Sequence, residues 1–454
     1  MIARFLDWLD DRLGSAHFVS HALRKAFPDH WSFMLGEINL YCFIVLVATG
    51  TFLALWFVPS THEVVYNGPY ALLRGQRVSE AYDSVMRISF LVNEGLLIRQ
   101  IHHWAANLFL AGIVVHMGRV FLTASFRKPR ELNWIIGVLL LFAAMFEGFT
   151  GYSIPDDLLS GLGLRIAVSI LESVPFIGSW AMFFLLGGNW PSDIFLQRLF
   201  ALHIYIMPAV IAGAIAAHLF IVWRQKHAQF PGPRHTEENV VGSPLFPNYT
   251  AKTLALFAGV IAVLCMLGAF VQINPIWIWG PYETDKAIAP AQPDWYIGWL
   301  EGALRIGPHW AIHFPGHMIP SAFWPGLVLP LIIMAALLFY PWVEAFVTAD
   351  RRAHNLLDRP RDAPARTAFG VAFFIFMLGL FLAGADDLEA RYTNLPLDSL
   401  VLFYRVWCVF APIIGFGITY VIAASLKARG GVHQAPRVRL VRKPEGGFSE
   451  EEIG

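Results

Sequence analysis

Eight stretches of this chain stay apolar for about 20 residues at a time, the length an α-helix needs to cross the hydrocarbon core of a bilayer. They cover roughly 33–58, 95–122, 134–154, 196–223, 252–273, 321–342, 367–384 and 400–426. In lipid, backbone N–H and C=O groups must find partners within the protein, and an apolar run of this length does so by forming a helix. Only 15% of the 454 residues are charged, whereas a soluble domain carries ~25%, and 56% are hydrophobic. The fold class expected is an all-α polytopic membrane protein with eight transmembrane helices and some interfacial ones. The formal net charge is zero, so nothing points to a nucleic-acid partner, and the surface partner is membrane lipid.

Punctuation between the runs divides the chain. Residues 1–30 open with "MIARFLDWLDDRLGS", which is amphipathic and acidic in places. It lacks the apolar core and small-residue cleavage site of a signal peptide and reads as an interfacial helix. A first four-helix bundle is expected over 31–223, a polar linker over 224–251, a second four-helix unit over 252–426 and a basic tail over 427–454. The connections 155–195 and 274–320 are rich in Gly, Pro and Trp. Their apolar pieces of ~10 residues are too short to span and suit interfacial or re-entrant segments. Basic residues cluster in alternate loops: Arg119, Arg127, Lys128 and Arg130; Arg224, Lys226 and Arg234; Arg351, Arg352, Arg359, Arg361 and Arg366. With eight spans these loops and both termini fall on one side, which the positive-inside rule makes cytoplasmic. The expected location is a bacterial cell membrane, crossed several times.

The stretch "RQIHHWAANLFLAGIVVHMGR", 99–119, places imidazoles in a membrane helix, where polar groups are costly and mark function. His102 and His116 are 14 residues apart, which on a helix is a rise of ~21 Å and a return to within ~40° of the same face. The fourth run repeats the pattern with His203 and His218, 15 residues apart, a rise of ~22 Å. The two runs are parallel, so His102 meets His203 at one depth and His116 meets His218 at the other. Two haems, each with two axial imidazoles, are the economical explanation. Gly36 and Gly50 in the first run, and Gly137 and Gly151 in the third, are also 14 apart; they give room for porphyrins between helices. Arg99 and Arg119, at the two ends of the second run, suit haem propionates. His103 is turned ~100° from His102 and is read as a non-ligand.

The three cysteines, Cys42, Cys265 and Cys408, are scattered in apolar runs. No C-x-x-C-H occurs, so covalent c-type haem is not expected, and no Cys/His grouping suits an iron–sulfur cluster. "PHWAIHFPGH", 308–317, offers His309, His313 and His317 at i, i+4 spacing, but Pro315 interrupts any helix there. A surface or proton-handling loop is the preferred reading over a metal site.

Taken together, the paired histidines and glycines, with "FRKPRELNW" (126–134), "GYSIP" (151–155) and "PDWY" (293–296), make the chain similar to cytochrome b, the membrane core of cytochrome bc complexes. The resemblance covers nearly all of 20–425. "PDDLLSGLGLR" (155–165) and the Asp in "PDWY" resemble the actinobacterial type. That resemblance implies two non-covalent haems b, the low-potential one on His102 and His203 and the high-potential one on His116 and His218. It implies oxidation of quinol, menaquinol in that type, beside Asp156, Asp157, Asp294 and Tyr296, and reduction of quinone near the cytoplasmic haem. The implied cycle bifurcates the two electrons of quinol, coupled to proton translocation. The implied partners are a Rieske iron–sulfur protein, a c-type cytochrome, a terminal oxidase in a supercomplex, and a second copy of the complex.

Three departures from the family pattern stand out. Asp294 is one methylene shorter than the usual Glu. The acidic residue usual near the quinone-reduction site falls at Thr253, leaving Lys252 and His227 as candidates there. Met34 stands where the chloroplast-type branch attaches a further haem, so no third haem is expected. Two rival readings are the cytochrome b anchor of a dehydrogenase or hydrogenase and a proton-coupled transporter with a histidine relay.

Overall fold

The computed structural model describes residues 2–288, 292–315, 317–429, 437–442 and 448–453. Among the described residues, eight helices are long and apolar enough to cross a membrane: Trp31–Ala54, Gly95–Leu122, Glu131–Ser153, Phe195–Gln225, Leu245–Phe270, Trp324–Thr348, Pro364–Ala383 and Leu397–Arg429. These eight spans are those expected, and their ends shift by a few residues where capping and turns decide. The fourth, for example, begins with the short helix Phe195–Ala201, which buries Phe195, Leu196 and Leu199.

The first and second spans pack along each other, the third lies against the fourth, and the fifth closes on the first two. The seventh and eighth spans form a second tight pair. Between the first five spans lies a core that includes Tyr41, Cys42, Phe109, Leu110, Leu141, Ile211 and Leu264. Most other apolar side chains on the spans face outward, as lipid-facing residues do: Phe220, Phe270, Phe346 and Ile413 are exposed.

The connections between the spans define two faces. On one, the Arg130 guanidinium donates to the His354 carbonyl at 2.7 Å and to Asn355 Oδ1 at 2.8 Å. Arg127 and Arg366 both pair with Asp358. The Gln229 N–H donates to the Asn355 carbonyl. The N-terminal strand Ala26–Phe27 pairs with Ser243–Pro244, and Lys427 at the end of the eighth span donates to the Asp362 carbonyl at 2.8 Å. The basic loops and both ends of the spanning region therefore share a face. On the opposite face, the connection after the third span forms helices Leu158–Glu172 and Gly178–Leu186. The connection after the fifth span carries Ile276–Trp279 and Trp295–Ile306. The two meet where the Leu158 N–H donates to the Gly280 carbonyl at 2.9 Å.

Near the histidine-bearing segment, Ile312–Phe314 pairs antiparallel with His317–Ile319. His313 and His317 therefore lie on two different strands, paired with Met318 and Phe314, so a helical i, i+4 face does not form. His309 and His313 are exposed, and the His317 side chain lies outside the described residues.

Candidate functional site

The four spaced histidines come together as two pairs. His102 and His203 face each other with ring centroids 6.3 Å apart and planes at 76°. His116 and His218 are near enough for their charges to interact. Each ring rests against a glycine on a neighbouring span. A Cβ built on Gly50 meets His102 Cε1 at 3.1 Å, one on Gly36 meets His116 Cε1 at 3.3 Å, and one on Gly137 meets His218 Cε1 at 3.8 Å. A Cβ on Gly151 falls 2.9 Å from His203 Nε2, which any larger residue there forces to move. Each of the four glycines singled out in the sequence thus lies against one of the four histidines.

The spacing of the outer pair fits haem. An iron ~2 Å from each of two ring nitrogens sets facing imidazole centroids about 6 Å apart. Tautomers fit as well. Thr49 donates its hydroxyl proton to the Val45 carbonyl at 2.6 Å, so at 2.9 Å from His102 Nδ1 it accepts. Thr150 likewise donates to the Glu147 carbonyl at 2.8 Å and accepts from His203 Nδ1 at 3.2 Å. Both Nδ1 atoms then carry the proton, leaving Nε2 free to bind metal. Among the described residues no three His, Cys, Asp or Glu converge on one point. Two-imidazole donor sets suit a metal whose other positions a macrocycle fills. Arg99 Nε and one Arg119 terminal nitrogen are buried without a hydrogen-bond partner among the described residues, as expected of cations awaiting anionic groups. Arg99 also donates to the Asn274 carbonyl at 2.7 Å, and the Arg119 guanidinium lies 4.2 Å over the Phe33 ring.

A cleft of about 520 Å³ runs from the outer histidine pair to Asp294 and Tyr296. Asp294 precedes the helix Trp295–Ile306, yet its carboxylate caps nothing. Instead His103 Nε2 sits 3.0 and 3.2 Å from its two oxygens, and the Tyr296 hydroxyl donates to it at 3.2 Å. Burial and the Asp294 charge push the Tyr296 hydroxyl well above the ordinary tyrosine range. Gly148 permits this approach, since a Cβ there falls 2.6 Å from the Tyr296 oxygen. His103, set aside as a non-ligand, turns away from the histidine pair and meets the carboxylate 191 residues further along the chain.

The neighbouring acids of "GYSIPDD" part company. Asp157 is fully buried and caps Leu158–Glu172, accepting from the Leu159 and Ser160 backbone N–H groups and, at 2.6 Å, from the Ser160 hydroxyl. Asp156 holds a left-handed backbone, φ +56°, which Asp tolerates better than most residues, and bonds to Ser79. Burial first, and then the Asp157 charge, raise its carboxyl to about 7. Burial raises Asp157 to about 6, against the pull of Ser160, the Leu159 N–H and Arg99. At the other face Lys252 pairs with the exposed Asp29 at 2.5 Å. The His227 ring lies against Phe27, centroids 4.7 Å apart and planes at 52°, and burial with Lys25, Arg130 and Arg119 nearby lowers it to about 4.

Eight membrane helices carrying two imidazole pairs, with a cleft opening at one pair, define the scaffold of a membrane cytochrome. A family model described as cytochrome b(N-terminal)/b6/petB matches residues 107–281. The cytochrome bc1 complex cytochrome b subunit of Streptomyces coelicolor is 48% identical over 98% of this chain and 83% of its own length. The subunit of that name in Mycobacterium tuberculosis is 47% identical over 92% of this chain and 76% of its own. A solved structure titled Hyperthermophilic respiratory Complex III matches with a TM-score of 0.68, at 23% identity, over 92% of this chain and all of that one. The chain belongs to the family of cytochrome bc1 complex cytochrome b subunits, as multi-pass membrane proteins of actinobacterial type. That membership sets aside the dehydrogenase-anchor and transporter readings.

Proposed function

We propose that this subunit oxidises quinol, menaquinol by the form of its "PDWY" segment, in the cleft beside His102 and His203, and reduces quinone near His116 and His218. The observation that carries this is the pairing of four imidazoles at two depths, with the cleft joining the outer pair to Asp294. When bound on these pairs, haem supplies single-electron carriage between the two faces. Arg99 and Arg119 offer their unpartnered guanidinium nitrogens to its carboxylates. The glycines at 36, 50, 137 and 151 keep the helices clear of it.

At the outer site Asp294 accepts a quinol proton. His103 and Tyr296 hold its carboxylate in place from opposite sides, fixing the geometry that proton transfer needs. Being shorter than Glu, Asp294 relies on those two partners rather than on side-chain reach. Asp156, raised to about 7, exchanges protons at the same face. Asp157 acts through the helix it caps. One electron of each quinol leaves for a Rieske iron–sulfur partner and a c-type cytochrome, because this chain's three cysteines are separate and unpaired and hold no cluster. The other crosses the membrane, charging it as protons are released outside and taken up inside. The face with the basic loops and both ends is cytoplasmic. The complex works as a dimer and joins a terminal oxidase.

The test is a quinol-oxidation assay on the purified complex with an Asp294→Asn variant. Loss of turnover with both b-type absorbances retained is expected. Turnover at the unaltered rate contradicts the outer-site assignment.

A further inference from the structure

Few carboxylates lie within the spans, and most are spoken for. Glu344 pairs with Arg366 at 2.7 Å, and Glu147 lies against His203 at 3.2 Å. Glu131 and Asp398 sit in the first turns of their helices, at the membrane surface. Glu37 differs. It lies in the first span, directly after Gly36, and has no cationic partner within ion-pair distance among the described residues. Its partners are three hydroxyls. Tyr249 donates to Oε1, Thr253 donates to Oε2, and Tyr41 donates to Oε2 at 3.2 Å. The Tyr41 and Thr253 oxygens are themselves 2.5 Å apart.

Hydroxyls both donate and accept, and their protons rotate to suit. A ring of three can satisfy a carboxylate and, after rotation, a carboxylic acid. A cation would fix the charged form, whereas this setting lets the group gain and lose a proton without leaving a buried atom unpaired. An ionisable group within a membrane helix is a functional-site hypothesis by default. Its place agrees: Gly36 faces His116, and the next residue on a helix is turned ~100° from it, toward the fifth span.

We propose that Glu37 is the group that delivers protons to quinone at the inner site, an assignment that rests on that site's being where quinone is reduced. The acid which the family pattern puts at residue 253 has been exchanged across the interface between the first and fifth spans. Thr253 now supplies the hydroxyl and Glu37 the carboxyl. Reduction adds two electrons and two protons to the quinone. The electrons come from two quinols oxidised in turn at the outer site, one from each. Glu37 gives up one proton per electron to a quinone oxygen and recovers it from cytoplasmic water. Recovery begins at the exposed cluster where Ser243 donates to Asp29 at 2.7 Å and Lys252 pairs with Asp29. Lys252 adjoins Thr253 in the chain, and the Asp29 charge reaches Tyr249. Lys252 and His227 thereby become surroundings of the proton route: the first is held by Asp29, and the second stays neutral at pH 7.

The experiment uses the whole complex with its haems b reduced anaerobically, then mixed with a soluble menaquinone analogue while haem absorbance is followed. Glu37→Gln is expected to keep both absorbances and to slow reoxidation by ~100-fold, the scale of a lost acid–base group. Glu37→Asp, and the double variant Glu37→Gln with Thr253→Asp, are expected to recover most of the rate, because each returns a carboxylate to the same hydroxyls. Glu37→Gln reoxidising at the unaltered rate overturns the proposal. So does a slow Glu37→Gln that neither carboxylate restores. Tyr249→Phe keeps the acid but removes a partner, and gives a second test should Glu37→Gln fail to assemble. A slower rate supports the proposal, and an unchanged rate counts against it. Unaltered complex that quinone does not reoxidise at all overturns the inner-site reading itself, and this assignment with it.

Discussion

The outer and inner histidine pairs stand on the same two helices, yet their surroundings differ. At the outer pair, His102 Nδ1 meets Thr49 at 2.9 Å, and His203 Nδ1 meets Thr150 and the Glu147 carboxylate, each at 3.2 Å. At the inner pair, His116 Nδ1 is buried with no hydrogen-bond partner among the described residues, and His218 has the Asn133 backbone beside it rather than a carboxylate. A carboxylate behind a metal-binding imidazole makes it a stronger donor and favours the more oxidised metal, which lowers its potential. In the function proposed above, the same two-helix frame produces a low-potential and a high-potential site from what stands behind each ring. The cleft differs as well, opening to Asp294 only at the outer pair.

The comparison breaks most visibly if a ligand is removed. His203→Ala is expected to abolish the low-potential b-type component in a redox titration and leave the high-potential one. Loss of the high-potential component instead reverses the assignment of the two depths. Next in size, Asp294→Asn is expected to cut quinol oxidation by ~100-fold while quinone still reoxidises the reduced haems. Glu147→Gln sharpens the contrast further. It is expected to raise the outer haem's midpoint by about 60 mV, a tenfold change in a one-electron equilibrium, and to leave the inner one where it was. A shift of both, or of neither, removes Glu147 as the source of the difference. The smallest effect is that of Asp156→Asn. Asp156 is raised to about 7, so it can accept protons only above that pH, where it is ionised. Its loss should flatten the pH profile of quinol oxidation by lowering the rate above pH 7, with no change well below it.

The sequence made the frame legible because the relevant physics is local. Run length gives the spans, and a 14-residue step on a 3.6-residue helix gives the faces, so His102, His116 and the four glycines could be placed before any packing was known. What escaped were contacts between distant segments. His103 was dismissed on its angle from His102, while its partner Asp294 lies on another element. Glu37 lies 216 residues from Thr253, and nothing local ties them together. One signal was available: Glu37 and Glu147 are acids within apolar runs, and such residues are costly enough to need a reason. At 308–317 the local signal suffices: Pro315 rules out a helix, and the exposed His309 and His313 sit in a non-helical segment.

The central claim is that four imidazoles on two parallel helices hold two haems. The most direct measurement is haem b content per chain in the purified complex by pyridine haemochrome, joined to a redox titration of the same sample. Two haems b per chain, titrating as two separate one-electron components, is the result expected; one haem or none, or a single component, contradicts it.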